Sequence, residues 1–397
     1  MRQNIGTSAF EGDLDAIGTW KSTCYPAQIQ ARVSPMPVQA SREPSSQNLR
    51  YPVMDALRFF LAFWVVVGHF GTFPLFAGAD EKTFVGRTLI HGWDTIVFGT
   101  PAVIGFFVIS GFCIHLPFRN GGKFEIGRYY ARRYTRILIP LAGCLFVMRF
   151  IAGQRLQLLG EDSILWHSIL WSLLCEEIYY AAYPLLRLLR NYIGWKAMLA
   201  SAFILGTFIS LRYYASDWHP YGPFGTALIL LPIWLLGCLL AEQVQTLRPS
   251  DSKFQIWKWR FLCWGGSWVC EMLNFKLKIY YTWTMLLFGV LAYFWIKNEI
   301  AYGMHKAPWK VLSAAGAWSY SLYLIHGPAG LNFWKLHFPN VGNIFNWFVM
   351  NGFILAVSYL FYILVERPSH RLARKIPLVR KTGPEVIGKQ AYESSAG

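Results

Sequence analysis

Charge is what this chain has least of. Only 15% of its 397 residues are Asp, Glu, Lys or Arg, against roughly 25% in soluble domains. By contrast 54% are apolar and 17% aromatic. The shortage runs along most of the length, which excludes an ordinary soluble globule and predicts an all-α, polytopic membrane protein. Acidic residues are scarcer than basic ones, 21 against 37, for a net charge of +16. Such an excess can mark a nucleic-acid binder. Here the basic residues form no single patch or stripe and alternate between loops, so no nucleic-acid partner is expected. The cysteines, at 24, 113, 144, 175, 238, 263 and 270, include no CxxC pair. No disulfide framework and no metal site is read from them. No internal repeat of the transporter kind is visible. Residues 1–50 have no apolar core followed by a small-residue cleavage site, which excludes a secretory signal peptide. Their richness in Ser, Gln, Pro and Ala reads as a disordered cytoplasmic leader.

What the chain does have is apolar runs of spanning length. A bilayer core of about 30 Å needs roughly 20 such residues. The runs fall near 53–72, 97–118, 137–153, 171–189, 196–213, 225–244, 259–273, 279–296, 311–331 and 344–365, which predicts about ten transmembrane helices. With the N-terminus inside, the inner loops hold sixteen Lys and Arg and the outer loops seven, so both termini are expected in the cytoplasm. The domain reading is a leader over 1–50, a ten-span unit over 51–368 and a basic cytoplasmic tail over 369–397.

The first run, PVMDALRFFLAFWVVVGHFG, carries Arg58 and His69 inside apolar sequence. Ionisable groups there cost on the order of 2.5–3.5 kcal/mol on insertion scales and mark functional positions. Eleven helical steps come within about 20° of three full turns, so the two share a face, about 16 Å apart along the axis. The topology places Arg58 in the inner half of its span and His69 near the outer end. It also places Glu176, Glu177 and His326 near the outer surface, at the depth of His69. The Arg128–Arg136 cluster and Glu366 belong at the inner surface.

These motifs together resemble the acyltransferase-3 family of integral-membrane O-acyltransferases. An Arg and a His with ten residues between them are Arg58 and His69, and a second-span signature is GFFVISGF over 105–112. Arg133-Tyr-Thr-Arg136 followed by Pro140, WSLLCE over 171–176, SYSLYLIH over 319–326 and Glu366-Arg-Pro complete the order. The resemblance implies transfer of an acyl group, usually acetyl, from acyl-CoA to a hydroxyl. The acceptor is commonly a cell-surface or secreted carbohydrate or glycolipid, and the setting is a membrane such as the bacterial inner membrane. Acetyl-CoA is then the donor substrate, with no permanently bound cofactor.

The residue types suit that chemistry. A sugar hydroxyl is a poor nucleophile, and His69 can take its proton as it attacks the thioester. Glu176 is expected to hold the imidazole's tautomer. Arg133 and Arg136, at i and i+3, share a face; guanidinium groups suit phosphates, and the resemblance assigns the pair to the CoA donor. Arg58 either shapes the acyl-CoA channel or simply pairs with Asp55. Trp171, Ser172, Tyr320, Tyr323 and His326 are candidate walls for the substrate, or interfacial anchors and aromatic packing. Glu177 is expected to make a structural bond, and Ser110 to permit close helix packing rather than act as a nucleophile. Glu366 is expected to tie the last helix to an inner arginine. Arg119, Lys123, Arg128 and Arg132 read as ordinary inner-loop charges. A secondary transporter or flippase would also explain a buried polar path, and an acyltransferase with a cytoplasmic small-molecule or lipid-linked acceptor is the nearer alternative.

Overall fold

In lipid a backbone must satisfy its own N–H and C=O groups, and uninterrupted apolar runs do so as helices. The computed structural model describes residues 51–70, 82–119, 124–158, 160, 163–212, 218–336 and 343–376. The expected leader over 1–50 and the tail beyond 376 lie outside the described residues. The described chain is all-α: α1 Pro52–Phe70, α2 Phe84–Ile96, α3 Thr100–His115, α4 Ile126–Phe146, α5 Ile164–His167, α6 Trp171–Arg212, α7 Gly222–Gln243, α8 Lys253–Leu277, α9 Tyr281–His305, α10 Lys310–Ala315, α11 Ser319–Lys335, α12 Asn343–Phe361 and α13 Arg367–Arg374.

Among the described residues, six helical stretches are long and apolar enough to cross a membrane: Pro52–Phe70, Phe84–Phe118, Ile126–Ile151, Trp171–Arg212, His219–Gln243 and Ile344–Arg374. The chain is therefore a polytopic membrane protein. The runs expected over 171–189 and 196–213 fall within one of these stretches, and those over 259–273, 279–296 and 311–331 within none. The 42 residues of α6 are two helices that meet at Gly194, whose φ of 74° and ψ of 163° are not helical. Only glycine takes that backbone without strain, so the two expected runs meet at that joint. Helices α8 and α9 carry charges within their length, and they neutralise one pair against each other: the Arg260 guanidinium grips Glu299 through two nitrogens at 2.6 and 3.0 Å.

The run expected over 137–153 starts earlier, at Ile126. The segment holding Arg128, Arg132, Arg133 and Arg136 is helix rather than loop, because Arg is a good helix former and two of these side chains turn toward interior carboxylates. Residues 369–376, assigned above to the tail, lie in and just after α13. This helix packs on α4, where the Ser369 hydroxyl donates to the Thr135 carbonyl at 2.8 Å.

The centre of the bundle is α3, packed against α1, α7 and α9. Its approach to α7 is at the limit of backbone contact. A Cβ at Gly111 would lie 2.0 Å from the Trp234 carbonyl oxygen, and one at Gly237 2.0 Å from that of Val108. The small-residue reading of the GFFVISGF segment is met here. Large apolar side chains on the outside remain bare, including Phe254, Leu287 and Phe150, as a lipid-facing surface requires.

Candidate active site

Helix α1 carries both ends of the site. Arg58 and His69 stand in one uninterrupted helix, so the offset of about 16 Å follows from the rise per residue. In the last turn of α1 His69 is exposed, and its Nδ1 lies 2.8 Å from the Val65 carbonyl oxygen. A carbonyl only accepts, so Nδ1 carries the proton and Nε2 keeps the lone pair in the neutral ring. His326 on α11 is arranged alike. Its Nδ1 lies 2.7 Å from the Tyr323 carbonyl and 3.2 Å from that of Leu322. The side chain is buried and its Nε2 has no hydrogen-bond partner. The two rings meet edge to face with centroids 5.1 Å apart.

Tyr323 and Ser172 complete this histidine layer. The Tyr323 hydroxyl donates to the Ile169 carbonyl at 2.7 Å. Ser172 Oγ, 2.7 Å from the same hydroxyl, must then be the donor to it, since a phenol has one proton to give. Trp171 stacks on Trp218 with centroids 5.7 Å apart, on the approach to the layer.

Deeper in the bundle lies a second, charged layer, and Glu176 belongs to it. The carboxylate accepts from the Tyr180 hydroxyl at 3.0 Å, and Ser110 Oγ, 2.8 Å from that hydroxyl, donates to it in turn; Arg58 and Arg133 lie within electrostatic reach. The expected role of Glu176 as holder of the His69 tautomer is not what the geometry displays. A main-chain carbonyl does that work, and Glu176 sits one helical turn past Ser172, in the charged layer. Glu177 differs from expectation too: both its oxygens are buried without a hydrogen-bond partner, with Arg133 the opposing charge within electrostatic reach.

Arg133 lies over the Tyr180 ring at 4.7 Å. Arg136 donates from Nε to His370 Nε2 at 3.0 Å. Arginine has no acceptor, so that histidine nitrogen accepts and the ring proton sits on Nδ1. Glu366, 3.3 Å from the same nitrogen, is held instead by Ser321, whose backbone N–H donates at 2.9 Å and whose hydroxyl donates as well. Glu366 also faces Arg136 and Arg58, which agrees with its expected tie to an inner arginine. Tyr320 joins this layer, its hydroxyl 3.3 Å from the Ile137 carbonyl.

The structure thus brings His69, His326, Tyr323 and Ser172 together, and separately Arg58, Arg133, Arg136, Glu176 and Tyr320. Each guanidinium in the charged layer has a carboxylate within electrostatic reach: Asp55 and Glu366 for Arg58, Glu366 for Arg136, Glu176 and Glu177 for Arg133. Tyr180, Ser110 and His370 were not singled out as partners of this site by sequence. Two had a readable signal, since Tyr180 follows Glu176 and His370 follows Glu366 at the i, i+4 spacing of neighbours on one helix face. Ser110 had none, because its partners come from another helix.

A family model described as an acyltransferase domain matches residues 51–363. No curated protein and no solved structure gives a significant match to the chain.

Proposed function

The chain belongs to the acyltransferase-3 family, and on that premise we propose that it transfers an acyl group, acetyl in the first instance, from acyl-CoA to a carbohydrate hydroxyl. The observation that carries the reading is the His69 hydrogen bond to its own helix. It leaves Nε2 as the basic nitrogen, on an exposed side chain at the end of α1. Nε2 takes the acceptor hydroxyl proton as the oxygen attacks the thioester carbonyl. Collapse of the tetrahedral adduct expels the CoA thiolate, and the imidazolium returns the proton to that sulfur. Acyl oxygen ester and free CoA leave, and His69 is neutral again.

In this reading the donor enters from the cytoplasmic face, where α3 ends and α4 begins, and its pantetheine arm runs past Arg133, Arg136 and Arg58 toward His69. The about 16 Å offset along α1 suits a long arm that must carry a reacting carbonyl away from phosphates. The carboxylates facing these arginines make them a balanced wall more than a phosphate clamp. Glu176 positions Arg58 and Arg133, while Ser172, Tyr323, His326 and Trp171 shape the acceptor side and Tyr320 the donor side. Ten crossings, cytoplasmic termini and an inner-membrane location complete the proposal.

The test is mass spectrometry of surface and secreted glycans from a host lacking the gene, complemented with wild type or H69A. An acetyl increment that appears with wild type and disappears with H69A, at equal membrane insertion, is the expected result. Full acetylation by H69A would overturn the assignment of the base.

A further inference from the structure

Among the described residues, Arg119 is the one arginine whose side chain falls in the buried class, at 8% exposure. It follows the short 3-10 turn Leu116–Phe118 that closes α3. Its Nη1 is buried without a hydrogen-bond partner, and no described residue supplies it with an ion pair or a stacking ring. Other arginines in the bundle are paired: Arg128 with Glu125 and Arg190 with Glu242, both at 2.8 Å, and Arg260 with Glu299 at 2.6 Å. The carboxylate at this end of α7, Glu242, is taken by His115, Trp195 and Arg190. A guanidinium cannot escape burial by losing its proton, and an uncompensated buried charge is costly. Such a group is kept by a fold when an anion completes it.

The geometry points to a phosphate group of the acyl-CoA donor as that anion, so that Arg119 is a donor-binding residue. This rests on the acyl-CoA reading of the preceding section. A guanidinium fork matches two phosphate oxygens at once. Position agrees with chemistry. Arg119 stands where α3 ends, seven residues before α4 begins at Ile126, and Arg133 lies two turns further along α4, about 10 Å deeper. A nucleotide held at Arg119 would therefore send its arm inward past Arg133 and Arg136. The basic-loop reading of Arg119 assumed a solvated side chain, and burial removes that assumption.

Purified full-length protein in nanodiscs tests this with wild type, R119M and R119K. Calorimetric titration uses CoA and dephospho-CoA in neutral phosphatidylcholine discs, and native mass spectrometry counts phosphatidylglycerol retained from mixed discs. R119M is expected to bind CoA about 10- to 100-fold more weakly, with R119K losing less. Without ligand, R119M is expected to melt at or above wild type, because an unpaired buried charge is gone. A loss confined to CoA places the 3′-phosphate on Arg119, and an equal loss for dephospho-CoA places the diphosphate there. R119M that binds CoA as wild type does, or that loses only phosphatidylglycerol, overturns the inference and leaves the donor reading standing. Wild-type protein with no affinity for CoA overturns both.

Discussion

The histidine layer and the charged layer are built on opposite plans. In the first, both histidines and Tyr323 are oriented by main-chain carbonyls, Val65 for His69, Leu322 and Tyr323 for His326, and Ile169 for Tyr323, and Ser172 alone ends on a side chain. In the second, side chains hold side chains, as Arg136 holds His370, Ser321 holds Glu366 and Tyr180 holds Glu176. A layer pinned to backbone tolerates loss of one neighbour, because its acceptors belong to the fold itself. A layer of mutually compensating charges does not, because each deletion strands an opposite charge in a low-dielectric interior.

The largest expected effect that separates the layers is on chemistry. H69Q should lower acyl transfer by about 10²- to 10⁴-fold, followed as labelled acyl group moved from acyl-CoA in membranes, with an unchanged melting temperature. An unchanged rate would mean that the base lies elsewhere. Next comes E366A, which leaves Arg136 and Arg58 short of a carboxylate. It should cost about 3–5 kcal/mol of stability, read by thermal unfolding in detergent, with E366Q milder because its amide oxygen still accepts from Ser321. Equal melting of E366A and wild type would break the contrast between the layers. G111A belongs to neither layer and calibrates the scaffold: its Cβ meets the Trp234 carbonyl at 2.0 Å, and overpacking of this kind costs about 1–3 kcal/mol. The smallest effect is S172A, about 1 kcal/mol, because the Tyr323 hydroxyl keeps its bond to Ile169. A collapse of S172A folding would show that side chains, not backbone, hold the histidine layer.

Helix-internal relations were legible in the sequence, and relations between helices were not. Arg58 and His69 on one face of one helix followed from periodicity alone, and close helix packing at Ser110 from the small residues that flank it. The grouping of Glu176 with Arg58 and Arg133 was not legible because a loop charge count locates a span's end only to within a turn, and one turn separates Ser172 from Glu176. The start of α4 was missed because its arginines looked solvated, although interior carboxylates receive two of them. Arg119 looked like any loop cation for the same reason: it is buried at 8% exposure beside Phe118, whose ring is closed in by Phe124, Tyr129 and Tyr183, and no local pattern announces that.

The hydrogen bond from His69 to Val65 also bears on how such a protein could diversify. A tautomer fixed by a main-chain oxygen cannot be lost through drift at any other side chain, because the acceptor is encoded by helicity rather than by residue identity. In the proposed reaction, the walls facing an incoming hydroxyl are then free to vary in size and polarity while the nitrogen proposed as base keeps its state. Selection for a new acceptor can therefore act on the rim alone, and one catalytic apparatus can serve many chemically distinct surfaces.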